Sequence, residues 1–111
     1  MATYQGSKQL DALGDPTRRA IFERLAHGAL PVGEIAKRLP ITRPAVSQHL
    51  KVLKEAGLVR DEAAGTRRLY RIDRKGLEMV RAYFDRFWTE ALDAFRKAAE
   101  ETYEKQEKND E

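Results

Sequence analysis

Along most of this chain, apolar residues return every three or four positions, the period of a helix with one buried face. Leu10 and Leu13 predict a short helix over residues 5–13, stopped at Gly14. In "DPTRRAIFERLAHG", Ile21 and Leu25 are four apart, with Phe22 and Ala26 alongside. Asp15 suits a cap, Pro16 a first helical position and Gly28 a terminal one, so a second helix is expected there. Ile35 and Leu39 place a third helix over 32–39, with Glu34 in its first turn, where the helix dipole favours an acid. It must begin at Leu30 or Pro31, a weak cap. A fourth follows after "PIT", with Thr42 as N-cap and Gly57 as its end. Pro44 is tolerated in that helix because first-turn amides have no intrahelical partner.

Beyond Gly57 the period changes to about two. "LVRDEA" and "RRLYRID" flank "AGT", which predicts a β-hairpin turning at Gly65 with Val59, Tyr70 and Ile72 inward. From residue 74 the helical period returns. Leu77, Val80, Phe84, Phe87, Ala91, Phe95 and Ala98 form a stripe, widened by Tyr83, Trp88 and Leu92. This helix is expected to run to residue 104, leaving 105–111 as a frayed tail. The chain therefore reads as a single domain over residues 1–100, mainly α with one hairpin, in the order α-α-α-α-β-β-α. Residues 31–57 hold two helices joined by about three residues, the spacing of a helix-turn-helix. Residues 58–73 form a ribbon beside it.

The two faces of the fourth helix differ sharply. With successive residues a little over a quarter-turn apart, Val46, Leu50 and Leu53 fall close together on one side. Ser47 lies at the edge of that stripe, while Lys51, Pro44 and Gln48 fall on the opposite side. Together they make a slim face without an acid before Glu55. A helix entering the major groove needs such a face, with donors that pair to base edges. Gln can pair bidentately with adenine, and Ser can meet bases or phosphates. Gln48, Ser47 and Arg43 are the candidate base contacts. Thr42, Lys51, Arg67 and Arg68 are the candidate phosphate or minor-groove contacts, the last two standing just after the hairpin tip.

Charge sharpens this picture. The formal net charge is only +3, but residues 1–73 hold 13 Lys and Arg against 8 Asp and Glu. Residues 74–111 hold 8 against 10. The basic part contains the candidate reading helix, and a basic surface invites a polyanion. No apolar run reaches the roughly 18 residues of a membrane span, and "MATYQGSKQL" lacks the apolar stretch of a signal peptide, so a cytoplasmic location is expected. The absence of cysteine excludes disulfides, thiolate metal sites and a cysteine nucleophile.

His49 falls beside the buried stripe of the fourth helix and reads as a packed structural histidine. Ser47 and His49 are two apart and do not face each other on a helix, so they form no nucleophile pair. His27 lies near a helix end, where it suits capping. No phosphate loop, metal cluster or nucleophile motif supports an enzyme such as a small hydrolase. A winged module that binds protein instead of DNA is the main alternative, and the "TRR" tip and acid-poor face speak against it. The aromatic stripe of the last helix is too large for one side of so small a domain. A second copy would cover Phe84, Phe87, Trp88, Ala91 and Phe95, helped by Leu10 and Leu13 of the first helix.

Together, "DPTRRAIFERLAHG", "VGEIAKRLPITRPAVSQHLKVLKEAGLV" and "GTRRLYRID" resemble the ArsR (ArsR/SmtB) family of winged helix-turn-helix transcription regulators, over roughly residues 8–98. The "FWTEALDAF" ending resembles a metal-independent branch. The resemblance implies a homodimer built on the first and last helices, DNA recognition by residues 42–56 and wing contacts around Arg67 and Arg68. It implies a bacterial or archaeal repressor, acting at the nucleoid, that holds a pseudo-palindromic double-stranded operator until a signal arrives. Where the family's metal sensors place thiolates near the third helix, this chain reads "PVGEIA", and residues 74–104 contain no histidine. No metal and no cofactor are assigned.

Overall fold

The computed structural model describes residues 6–110. Five helices are present among them: α1 (Ser7–Ala12), α2 (Pro16–Leu25), α3 (Val32–Arg38), α4 (Arg43–Glu55) and α5 (Arg74–Asp110). Three strands accompany these helices: β1 (Leu30–Pro31), β2 (Val59–Ala64) and β3 (Arg67–Ile72). The expected start of the first helix at residue 5 lies outside the described residues.

The punctuation at α2 works as its residues require. The Asp15 carboxylate accepts from the Arg18 amide at 2.8 Å and Pro16 opens the helix. The two arginines of "DPTRR" then turn back. Arg18 Nε donates to the Ala12 carbonyl at 2.8 Å and Arg19 Nε to that of Leu13 at 3.2 Å. Carbonyls left open at the end of α1 thus find donors. The helix ends at Leu25, before Gly28.

β1 is an addition to the predicted topology. Leu30 pairs with Tyr70 and Pro31 with Leu69, antiparallel, so the sheet has three strands in the order β1-β3-β2. Two residues carry no readable alternation, and β3 alone supplies their pairing. Pro31 then caps α3 without a side-chain bond. The hairpin itself follows prediction, with Ala64 opposite Arg67 and Gly65 at φ 63° in the turn. A positive φ at the first turn residue only is the pattern of a type II′ hairpin.

Thr42 caps α4 by accepting from the Ala45 amide at 3.3 Å. At the other end, Gly57 takes φ 77°. Its amide donates to Lys54 O and that of Leu58 to Leu53 O, both at 2.9 Å, which is the Schellman arrangement. Leu53 and Leu58 are wholly buried around this turn. The first turn of α5 crosses the same corner at backbone contact. A Cβ built on Gly76 would lie 2.0 Å from the Gly57 carbonyl oxygen. Gln9, a buried polar residue of α1, closes the corner from the other side by donating to Ala56 O at 2.8 Å.

The buried apolar residues that form the core come from α1 to α4 and the start of the hairpin. Ile21, Ile35, Val46, Leu50, Leu53 and Leu58 are fully withdrawn from water. α5 contributes only Val80, partly buried against that core. The helix continues past the predicted end at residue 104 to Asp110, so residues 105–110 are helical in place of the expected frayed tail. Thirty-seven residues make it about 56 Å long. The protein measures 78 × 28 × 26 Å, with a radius of gyration of 20.8 Å, where a compact chain of this length would have about 13 Å. Acidic and basic residues four apart, such as Arg96 and Glu100 at 3.0 Å, support the projecting part.

Gly76→Ala is expected to lower stability by about 1–3 kcal/mol, because the added methyl meets backbone that cannot move aside cheaply. Urea unfolding of the two proteins measures the difference.

Candidate nucleic-acid interface

With Val46, Leu50 and Leu53 facing inward, α4 turns Pro44, Ser47, Gln48 and Lys51 to solvent. These four form one exposed face, as the helical period predicts. α3 and the connection through Pro40 and Ile41 hold the start of α4, and Ile41 is partly buried on the core. His49 is half-buried beside this face, near enough to Asp15 to help hold that carboxyl below its ordinary value, after the larger effect of the Arg18 amide. His27 is exposed just beyond the end of α2.

The cations divide in a way that residue type did not reveal. Arg67 stands exposed at the start of β3. Arg68, its neighbour, is committed: its Nε donates to Asp61 at 2.7 Å, and Lys54 Nζ meets the same carboxylate at 2.8 Å. The Asp61 side chain is only 7% exposed. One carboxylate thus ties the last turn of α4 to both strands of the wing. Sequence reasoning missed Lys54 and Asp61. The hairpin register carries the signal, since pairing Ala63 with Arg68 and Asp61 with Tyr70 sets Asp61 and Arg68 diagonally on one face. Glu62, opposite Leu69, pairs with Arg71 along the reverse diagonal on the other face.

Thr42 spends one lone pair of its hydroxyl on the cap. Arg43 is turned away from the reading face. Its guanidinium lies over Gly33 of α3, where a Cβ would come within 2.3 Å of Nη2. Arg43, Arg67 and Arg68 line one cleft of about 440 Å³ between α3 and the wing.

The second candidate surface lies on α1 and α5, which pack together. Phe84, Phe87, Trp88 and Phe95 are 52%, 57%, 63% and 71% exposed. Leu10, Leu13 and Ala91 are half-buried, Leu13 against the domain's own core. The wide stripe is therefore not spent on the chain's own core. Tyr83 and Phe84 meet edge to face, with ring centroids 5.8 Å apart. Among the described residues no three His, Cys, Asp or Glu side chains converge on a metal position, and no helix is long and apolar enough to cross a membrane.

A short helix, a tight turn, a helix with one buried and one polar face, and a basic hairpin beside it define a winged helix-turn-helix DNA-binding regulator. Known proteins agree. The sequence matches the family described as "Helix-turn-helix domain" over residues 13–62. It is 59% identical over 96 residues to the HTH-type transcriptional regulator Rv2034 of Mycobacterium tuberculosis, spanning 86% of this chain and 90% of that protein. An ArsR-like transcriptional regulator from Rhodococcus sp. RHA1 superposes with a TM-score of 0.71 at 28% identity, over 86% of this chain and 92% of that one. The homodimeric winged helix-turn-helix DNA-binding domain Mb0332 of Mycobacterium bovis superposes with a TM-score of 0.62 at 31% identity, over 82% of each chain. The chain belongs to the ArsR family of winged helix-turn-helix transcription regulators.

Hydrogen bonds from Lys54 and then Arg68 hold the Asp61 carboxyl below its ordinary value. A carboxylate depressed in the folded state stabilises above its unfolded pKa, and that contribution is lost as pH falls through the folded one. Asp61→Asn is therefore expected to cost about 1 kcal/mol at neutral pH, since both cations are largely solvated. The gap between variant and parent should close in strong acid, as urea midpoints across the acid range will show.

Proposed function

We propose that this regulator is a homodimeric repressor that reads a pseudo-palindromic operator with the exposed face of α4. The observation that carries the reading is that face: Ser47, Gln48 and Lys51 stand exposed on a helix whose opposite side is completely buried. Gln48 and Ser47 read base edges, and Lys51 meets the backbone. Thr42 presents its remaining hydroxyl capacity to a phosphate. Arg67 reaches the minor groove or its phosphates from the wing. Arg68 stands at the same place with its charge shared with Asp61, which Lys54 ties to α4.

Dimerisation supplies the second half-site. The exposed aromatics of α5 would leave an aggregating patch on a lone chain, and each contributes on the order of 1.5–3 kcal/mol when fully buried. Two copies joined through α1 and α5 would set two α4 helices into successive major grooves, about 34–36 Å apart. The homodimeric neighbour of similar fold supports this arrangement. Repression follows from the family resemblance, with release by a signal. The protein acts in the cytoplasm at the nucleoid, and no enzymatic reaction, cofactor or metal is assigned to it. Selection of bound fragments from random duplex DNA tests the whole reading, because it reports sequence preference and half-site spacing together. A failure to enrich any sequence would overturn it.

Gln48→Ala is expected to weaken binding to the selected operator by about 1–3 kcal/mol and to leave binding to random duplex nearly intact. Fluorescence anisotropy with both duplexes separates the two. Phe87→Asp is expected to split the dimer, since a carboxylate has no partner in an apolar seam. Light scattering reads the mass, and circular dichroism reads whether the chain stays helical.

A further inference from the structure

Arg43 is the first residue of α4, next to the bases in any groove-reading pose, yet its side chain takes another direction. Five positions separate it from Gln48, which on a helix leaves the two facing well apart. Its guanidinium passes over α3 at Gly33, with Nη2, Cζ and Nε all within 3.4 Å of where a Cβ would stand. The space that receives it is the cleft between α3 and the wing, shared with Arg67. Other charges there are already spent. Glu34 pairs with Lys37 at 3.4 Å, and Arg68 pairs with the nearly buried Asp61. Among the described residues, Arg43 and Arg67 remain as the cations of this cleft without a carboxylate partner.

Resting on the DNA-binding reading above, we infer that Arg43 is a backbone clamp and not a base reader: from its seat over Gly33 it takes, together with Arg67, one phosphate of the duplex into the cleft between α3 and the wing. A guanidinium presents paired donors that suit a phosphate's oxygens. The chemistry is that of a phosphodiester, which carries no sequence information. Gly33 is the positioning residue. Any side chain there would meet the guanidinium at 2.3 Å and push it out of the cleft. Because the obstructed group is the free end of a flexible side chain, the fold tolerates the change while the clamp does not.

Two readouts test this. Affinity is measured by anisotropy for the selected operator and for a scrambled duplex, across a series of salt concentrations. Arg43→Ala should weaken both duplexes alike, and removing Arg67 as well should lower the slope of log K against log salt by about 0.9 per protomer, the shared phosphate's part of the released counterions. Arg43→Gln keeps the stem and should do the same, which guards against a loss of folding. Gly33→Ala should weaken both duplexes in the same way, and Gly33→Ala combined with Arg43→Ala should bind no worse than Arg43→Ala alone. A slope unchanged by loss of both arginines, a loss confined to the selected sequence, or additive losses in the Gly33→Ala, Arg43→Ala variant would overturn the clamp. Absence of any duplex binding by the parent protein would instead overturn the function on which it rests.

Discussion

Val46, Leu50 and Leu53 are fully withdrawn from water, and the remainder of the molecule is arranged around that burial. Ile21 and Leu25 of α2, Ile35 of α3 and Leu58 at the foot of the wing close over them. A helix of thirteen residues would be marginal in isolation. Packing of one face supplies the order that propensity cannot, and it does so without using Ser47, Gln48 or Lys51. The polar face is thus held rigidly while contributing nothing to the core. Pro44 adds to this, since it keeps the start of the helix slim and asks no hydrogen bond of it.

The far end of α4 is where orientation is set. Gly57 turns the chain, the Gln9 amide holds the Ala56 carbonyl, and Gly76 lets α5 cross at backbone contact. Asp61 then ties α4 to the wing through Lys54 and Arg68. α4, the wing and α5 therefore share one corner. In a dimer whose two readers must fit successive grooves, an error at this corner would be carried along the whole of α5.

In the proposed dimer, α5 would divide the labour between folding and assembly. Its apolar residues are almost absent from the core, yet they are the largest on the surface. The domain has its own core of residues from α1 to α4 and the first strand of the hairpin. The exposed aromatics of α5 are apolar surface separate from that core, and it is on them that the proposed association would draw. The acidic balance of this half also keeps it apart from the basic half that meets a polyanion.

Elements whose signals are periodic and local were legible from residue order. The spacing of Val46, Leu50 and Leu53 placed α4 and its free face, Thr42 and Gly57 bounded it, and Gly65 placed the turn of the wing. The exposed aromatics were legible as excess area, because a count of apolar surface needs no coordinates. Non-local features were not. β1 is two residues long and exists through its pairing with β3, so no period announces it. α5 runs on to Asp110, past the point near residue 98 where the apolar signal ends, so its far end carried no periodic mark. Arg43, Arg67 and Arg68 are alike as residue types, and their neighbours alone set them apart: a glycine under the first, open solvent at the second, a buried carboxylate beside the third. Residue order carries the pattern that each element must bury. The fold decides which of several equal charges is left free, because that depends on what the chain brings within about 3 Å of each.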